Sequence, residues 1–470
     1  MEMDEFLEVL SGQIRSEKAR GMVRKEMEDH IRDQAEAYEE SGMPRESALK
    51  EAVHQMGDPV AAGVELDRIH RPRMDWSIFT WIVLFSILGL ALQYICFYGQ
   101  AGLGGPLGRA QGGSMENFVR QCSYTVIGLG VMAAVCLADY SVIGRYPRIL
   151  GAVFLGSIWI ICELGFLIQV NGAYPYLRCV TYLFVPLYGG ILYKTRGKGY
   201  QGIAEGLVWI GLLYLVGAGS IGGGMGVVIN AVLPCLLMLF MAVRKRWFAL
   251  SRGSGLAALL VMMGAWGLFF VKNLRSYQVM RIQAWLRPEA FGETAGYHMT
   301  HLRDIVSSLS LNRSCYGILE QRGLMDFLES LGVNSEFMIL QTAVSLGLMK
   351  AVFLCVLFAV FFFQLFLRTA RQKNQLGQMT GLGCTMVLAA ETLRNIMGNF
   401  GIGIGFTGGV PFLSYGKWHT LAVYVLLGIL LSIYRHENLM WEEPVERKEG
   451  VLFQVGSYVI KIEKRLKSSV

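Results

Sequence analysis

From residue 76 to residue 434 the chain alternates apolar stretches with short polar links, and the stretches have the length that crosses a bilayer core, about 17–25 residues. About ten spans are predicted, over residues 76–98, 118–138, 149–168, 180–193, 203–220, 224–243, 255–271, 337–367, 379–397 and 418–434. Helices satisfy their own backbone groups in lipid, so this pattern reads as an all-α, polytopic helical membrane protein. One link is out of proportion. Residues 272–336 form a long loop, and loops of that size inside a compact domain usually carry function.

The first 75 residues follow a different pattern. Apolar positions recur at helical spacing through Phe6, Leu7, Leu10 and Ile14, through Met22, Met27, Ile31 and Ala35, and through Ala48, Ala52 and Met56. Gly57, Asp58 and Pro59 then end one helix and start the next, with glycine past the end, aspartate as N-cap and proline in the first turn. About four short helices follow, packed as a small cytoplasmic bundle over residues 1–75. Solvated helix faces account for His30, Asp33, Glu36 and His54 better than a metal site does.

Composition narrows the class further. Of 470 residues, 53% are hydrophobic and 17% charged, which excludes a water-soluble globule for most of the chain. The net charge of +7 suits loops facing anionic membrane lipid and gives no reason to expect nucleic acid. The acidic start, MEMDEFLEVL, is not a secretory signal. Nine scattered cysteines, such as Cys96, Cys136 and Cys355, read as small core residues, and no zinc, redox or nucleotide-loop spacing is present. Basic residues fall in alternate links: Arg145 and Arg148; Lys194, Arg196 and Lys198; Arg244, Lys245, Arg246 and Arg252; Arg368, Arg371 and Lys373. The positive-inside rule makes those links cytoplasmic, sets both termini inside and leaves the loop 272–336 on the outer face of a plasma membrane.

Near the C-terminus the run GFTGGVPFLSYGKWHTLAVYVLLGILLSIYRHE places glycine-rich, non-helical sequence against the last apolar span. Such backbone survives at membrane depth only where protein or a water-filled cavity covers it, so it marks a site. The ordered string PFLSYG followed by LLGILLSIYRHE resembles the signature of the SEDS family, the RodA/FtsW/SpoVE proteins of bacterial cell shape and division. The family's Gly-Gly-Ser-Ser after the tyrosine is here Gly416, Lys417, Trp418 and His419, and a proline expected near Ile404 is missing. The N-terminal string HIRDQAEAYEESGMPRESALKEAVHQMGDP resembles the helical prefix domain found ahead of permeases in Gram-positive bacteria.

The outer loop carries a second block of resemblance, through Tyr277, Gln278, Arg281, Ile282, Trp285, Leu286, Pro288, Gly296 and Tyr297. Aligned through Phe337, Leu346 and Gly347, Glu336 falls on the family's essential aspartate, one methylene longer. The resemblance implies polymerisation of glycan strands from a lipid-linked peptidoglycan precursor, with a membrane-anchored transpeptidase as partner. A carboxylate at the outer surface then acts as general base for the attacking sugar hydroxyl, and cations or a divalent ion such as Mg stabilise the departing diphosphate. Glu336 is the candidate base. Arg281 is the first candidate for phosphate contact, followed by Lys272, Arg275 and Arg303, while Tyr277, Gln278, Ser414 and Tyr415 complete the expected substrate-binding set. Asp304 and Asp326 are the alternatives to Glu336.

The first half of the membrane region departs from the family. Asp139 and Tyr140, and Asn171, Gly172 and Ala173, resemble its landmarks. The expected fourth-span glutamine-proline-serine-glutamate stretch and following lysine instead read Val185, Pro186, Leu187 and Tyr188 with Ile191. Intramembrane polarity is supplied by Glu163 and, on the ninth span, by Glu391, Arg394 and Asn395. Glu391 and Arg394 stand three apart on one helical face, a spacing that permits pairing. Residues 438–470, acidic first and then mixed apolar and basic, read as a cytoplasmic tail, either lying on the inner leaflet or solvated. Three functions stay open: the glycosyltransferase, a non-catalytic relative that binds precursor or partner as a scaffold, and a lipid-precursor transporter.

Overall fold

The computed structural model describes residues 2–98, 115–165, 174–221, 228–272, 276–292, 294, 296–331, 335–402, 408–437, 451–455 and 458–461. The landmark at Asn171, Gly172 and Ala173, the candidate Arg275 and most of the segment 438–470 lie outside them. The chain divides into two compact units. One comprises Met1–Asp75, Gln372–Asn374 and Ile433–Pro444; the other comprises Trp76–Arg371, Gln375–Ser432 and Val445–Val470.

In the first unit, α1 (Met3–Gly12), α2 (Glu17–Glu40), α3 (Arg45–Gln55) and α4 (Pro59–His70) form the bundle that the apolar spacing predicts. Phe6, Leu7, Leu10, Ile14, Ile31 and Ala52 are buried in its core. On α2, Ile31 and Ala35 are buried as the spacing predicts, while at its start Ala19 and Val23 are buried and Met22 is half-exposed. Gly57 adopts φ 77°, and the Asp58 carboxylate accepts from the amides of Val60 (3.1 Å) and Ala61 (3.4 Å). That cap satisfies the orphan donors of the first turn of α4. Gly63 lets α4 approach α1 closely, because a Cβ there would lie 2.6 Å from the Leu10 carbonyl oxygen.

The second unit is helical. Its elements are α5 (Trp76–Gln93), α6 (Met115–Leu137), α7 (Ser141–Arg145), α8 (Pro147–Glu163), α9 (Pro175–Val180), α10 (Phe184–Lys194), α11 (Gly199–Tyr214), α12 (Leu233–Arg244) and α13 (Arg252–Lys272). The loop region adds α14 (Ser276–Leu286), α15 (Tyr297–Ser307), α16 (Tyr316–Gln321) and α17 (Met325–Ser330), and then come α18 (Met338–Leu346), α19 (Leu348–Ala370), α20 (Gln375–Asn399) and α21 (Lys417–Arg435). A short antiparallel hairpin, β1 (Val451–Val455) with β2 (Tyr458–Lys461), lies in the C-terminal segment, where a leaflet-bound or solvated tail is expected from sequence. Among the described residues, five helices are long and apolar enough to cross a membrane: Trp76–Cys96, Met115–Leu137, Gly199–Gly217, Leu348–Ala370 and Lys417–Arg435. On α19, Phe353, Val356 and Phe363 are exposed while Leu354, Phe358, Phe361 and Leu365 are buried. That division separates a lipid-facing side from a bundle-facing side.

Helix α10 is the interior post of the unit. Nine of its eleven residues are buried, and its glycines allow the close approach that membrane helices use in place of a hydrophobic driving force. A Cβ at Gly189 would lie 2.9 Å from the Thr380 hydroxyl on α20. Among the described residues, three segments wind as π-helix: Tyr94–Tyr98 after α5, Leu215–Ser220 after α11 and Val228–Val232 before α12. Such widened turns recur at functional sites.

The apolar run 337–367, read from sequence as one span, is two helices. Gly347 breaks it with φ 101° and ψ 154°, a conformation open to glycine alone. The Leu348 amide then donates to the Ser310 carbonyl (2.9 Å) and the Met349 amide to the Leu311 carbonyl (3.0 Å), stitching the outer loop to the break. A Cβ at residue 347 would lie 2.8 Å from the Leu311 carbonyl oxygen. Gly347→Ala is therefore expected to destabilise the protein by about 2–4 kcal/mol, from strain and overpacking together. Thermal unfolding in detergent checks this, and an unchanged midpoint would contradict it. Upstream of the break, Met338 to Ser345 are all buried, and Leu340 and Val344 share a core with Leu302, Ile305, Leu319 and Phe327 of the loop helices.

Candidate functional site

Glu336 lies in the 3-10 turn Ser335–Phe337 that leads into the buried helix α18, and it is half-buried. Two asparagines of α20 hold its main chain. The Asn395 side-chain amide donates to the Glu336 carbonyl oxygen at 2.7 Å and that of Asn399 at 2.9 Å. Asn399 also accepts from the Leu340 amide (2.9 Å), satisfying an orphan donor in the first turn of α18. The two asparagines are fixed to each other by a bond of 2.8 Å between Asn399 Nδ2 and Asn395 Oδ1. Helical spacing puts Glu391, Asn395 and Asn399 on one face, and all three are fully buried.

The same face grips the glycine-rich segment. Asn395 Nδ2 donates to the Gly408 carbonyl, and Glu391 Oε1 accepts from the Gly409 amide at 3.2 Å. Glu391 Oε2 stands 3.4 Å from His419 Nε2, within ion-pair range and longer than a well-formed hydrogen bond. No side chain fits above this group: a Cβ at Gly408 would collide with the Arg394 guanidinium, and one at Gly409 with the His419 ring. Arg394 donates through Nε to Asn230 Oδ1 (3.0 Å), and Asn230 donates to the Tyr182 hydroxyl (2.8 Å). Asn230 belongs to the π-helical turn Val228–Val232. Cys179 lies within electrostatic reach of Glu391, Arg178, Glu336 and Arg394, so the charges of three elements converge there.

Beyond the glycines the chain folds into a tight turn. The Val410 amide donates to the Ser414 hydroxyl (2.7 Å), and the Ser414 amide donates back to the Val410 carbonyl (3.0 Å). Phe412 adopts φ 69°, costly for a non-glycine residue, and its ring stacks with Phe85 at 5.6 Å and meets Tyr424 at 6.0 Å. Gln93 of α5 donates to the Leu413 carbonyl (2.7 Å), and Gln121 of α6 accepts from the Gly416 amide (3.1 Å). Non-helical backbone at this depth is covered by protein on several sides, as it must be.

The structure distributes the sequence candidates unevenly. Glu336, Glu391, Arg394 and Asn395 form one assembly. Ser414 is buried with its hydroxyl closing the turn, and Tyr415, half-buried, has its ring 6.5 Å from that of Tyr124. Arg281 and Lys272 are exposed on α14 and α13, Gln278 is half-buried, and Tyr277 is placed on α14 by its backbone. Arg303 is exposed, with Nε donating to the Gly401 carbonyl at 3.0 Å, which ties α15 to the end of α20. Glu163 is not in the bundle interior. It is the exposed last residue of α8, where Gly165 at φ 66° turns the chain away. Asp304 and Asp326 are exposed. On α15, burial and the neighbouring His301 hold the His298 imidazole below the usual histidine range.

Sequence reasoning passed over His419, Asn399, Asn230 and Arg178 as site residues. Asn399 was accessible, four positions after Asn395 on one helix. His419 carried a signal too, as a departure within the glycine-rich block. Among the described residues no three His, Cys, Asp or Glu side chains converge to hold a metal ion.

Comparison with known proteins bears on this arrangement. The family model of FtsW/RodA/SpoVE cell cycle proteins matches residues 208–439. A probable peptidoglycan glycosyltransferase FtsW of Coxiella burnetii (strain RSA 493 / Nine Mile phase I) is 24% identical over 396 residues, 78% of this chain and 98% of that one. Among solved structures, a chain of a peptidoglycan synthase complex that coordinates polymerization and crosslinking superposes with TM-score 0.54 at 17% identity, covering 77% of this chain and 98% of its own. That likeness establishes a common fold. The matched segment, which spans Glu336, the asparagine face of α20 and the glycine-rich turn, is that of an FtsW/RodA/SpoVE cell cycle protein.

Proposed function

We propose that the protein polymerises peptidoglycan glycan strands from a lipid-linked disaccharide-peptide precursor at the outer face of the bacterial plasma membrane. The observation that carries this reading is the carboxylate-bearing residue Glu336, anchored by its main chain to Asn395 and Asn399 at the entrance of a buried helix. An anchored backbone restricts where the carboxylate can reach, which is what positioning a general base requires. In the reaction Glu336 takes the proton of the attacking sugar hydroxyl, and that oxygen forms a bond to the anomeric carbon. The anomeric carbon–oxygen bond to the diphosphate breaks, and the lipid diphosphate leaves with the electron pair. Charge developing on the diphosphate calls for preorganised cations.

The names of the relatives support this assignment: a probable peptidoglycan glycosyltransferase, and a complex that couples polymerization to crosslinking. The second of these extends the proposal to a membrane-anchored transpeptidase partner. The alternating basic links orient the chain with both termini in the cytoplasm and the loop 272–336 outside. Mg²⁺ favours one or two carboxylates plus substrate phosphates, so a divalent ion would come with the diphosphate and not to a prebuilt protein cage.

One observation favours a second reading, a scaffold that binds precursor or partner without chemistry. Tyr188 and Ile191 of α10, which stand where the family resemblance expects an acid and a base, are both buried. The test is glycan-strand formation from purified lipid-linked precursor by the full-length protein in detergent, with divalent cation or chelator and with or without a transpeptidase partner. Polymer supports the transferase, whereas precursor binding without polymer under every condition supports the scaffold.

A further inference from the structure

Glu391 Oε2 and His419 Nε2 are buried and, among the described residues, have no hydrogen-bond partner. Removing a carboxylate and an imidazole from water is costly, and apolar side chains of similar size would serve packing alone at least as well. The retained pair therefore calls for a role that packing does not fill. Its neighbours supply one. Glu391 holds the Gly409 amide through its other oxygen, and the His419 ring lies against Gly409, so the pair clamps that peptide from two sides. One residue earlier, the Gly408 carbonyl shares the Asn395 amide group with the Glu336 carbonyl.

We propose that Glu391 and His419 are positioning residues for Glu336: by clamping Gly408 and Gly409 they hold Asn395 in the rotamer that tethers the Glu336 main chain. Neither touches substrate. Glu391 fixes the glycines, the glycines fix Asn395, and Asn395 fixes the residue that bears the candidate base. Arg394, braced by Asn230, packs against Gly408 beside Glu391. The inference deepens the transferase reading and rests on it only for its kinetic consequence, because the mechanical coupling exists whether or not polymer is made.

The test has two arms on the full-length protein in detergent. In the first, amide hydrogen exchange is followed in peptides covering 408–416 and 336–341. His419→Ala is expected to speed exchange in both regions together, and His419→Gln, which keeps a donor for Glu391, to leave both near the native rate. In the second, polymerisation of lipid-linked precursor by His419→Ala is expected to lose between about 10- and 100-fold in kcat, the scale of a small misplacement of a reacting group. KM should stay within about twofold, since substrate contacts are untouched, and His419→Gln should recover most of the loss. Faster exchange at 408–416 with 336–341 unchanged would overturn the proposal, as would His419→Gln behaving like His419→Ala. If the native protein makes no polymer, the transferase reading fails and the exchange arm alone decides the coupling.

Discussion

Glu336→Gln is expected to lower glycan polymerisation by about 10²–10⁴-fold, the usual contribution of a positioned general base, while leaving the protein folded. The second half of that expectation follows from how residue 336 is held. Both asparagine bonds go to its main-chain carbonyl, so the substitution leaves the tether intact. Glutamine preserves shape and removes the charge, which separates base chemistry from packing. Glu336→Asp retains a carboxylate and shortens the side chain by one methylene, so it should keep part of the activity. Turnover of lipid-linked precursor alongside thermal unfolding checks both points. Equal activity of the glutamine variant and the native protein would remove Glu336 from the chemistry.

Asn395→Leu is expected to have the largest effect of any single change on the α20 face. The side chain is fully buried, and its amide serves two carbonyls on separate segments, Glu336 and Gly408. Leucine has similar bulk and no donor. The Gly408 carbonyl is left without that partner, and the Glu336 carbonyl keeps only Asn399 from this face. A buried acceptor stripped of its donor costs about 1–3 kcal/mol, so two weakened bonds should cost about 2–4 kcal/mol. Polymerisation should fall by about 100-fold as Glu336 loses its fixed position. Asn395→Asp should be at least as harmful, because a carboxylate offers only acceptors to two carbonyl oxygens and sits one helical turn from Glu391. Thermal midpoints and precursor turnover measure the two effects, and a leucine variant with native stability would show that the shared amide is dispensable.

Local physics made much of this fold legible. The cap at Gly57, Asp58 and Pro59 follows from the conformational limits of three adjacent residues, and it appears where expected. The last span, read as 418–434, corresponds to the helix Lys417–Arg435, because an uninterrupted apolar run leaves little choice of ends. The break at Gly347 was hidden for the opposite reason. Hydrophobicity continues smoothly across it, and only the contact with Leu311 and Asn312, more than thirty positions away, makes a glycine necessary there.

The site divides along the same line. Glu391, Arg394 and Asn395 were visible as polar residues at helical spacing in an apolar span. Their partners were not, since His419 and Asn230 come from distant segments and periodicity carries no information about contacts of that kind. The spacing of Glu391 and Arg394 permits a pair, and the structure adds His419 and the Gly409 amide as neighbours of Glu391 and Asn230 as a partner of Arg394. Arg303 reads from sequence as a cation of the outer loop, and its Nε donation to the Gly401 carbonyl is a contact that sequence does not show. Charge type can be read from sequence, but what a charge is used for depends on which backbone passes it.

The base chemistry proposed for Glu336 is the step on which glycan polymerisation turns. It is tested most directly by incubating purified lipid-linked precursor with the native full-length protein and with Glu336→Gln, side by side, and separating the glycan strands by length. Strands from the native protein, with at most about one part in a hundred from the variant, are the predicted result. Strands of equal yield and length from both would contradict it.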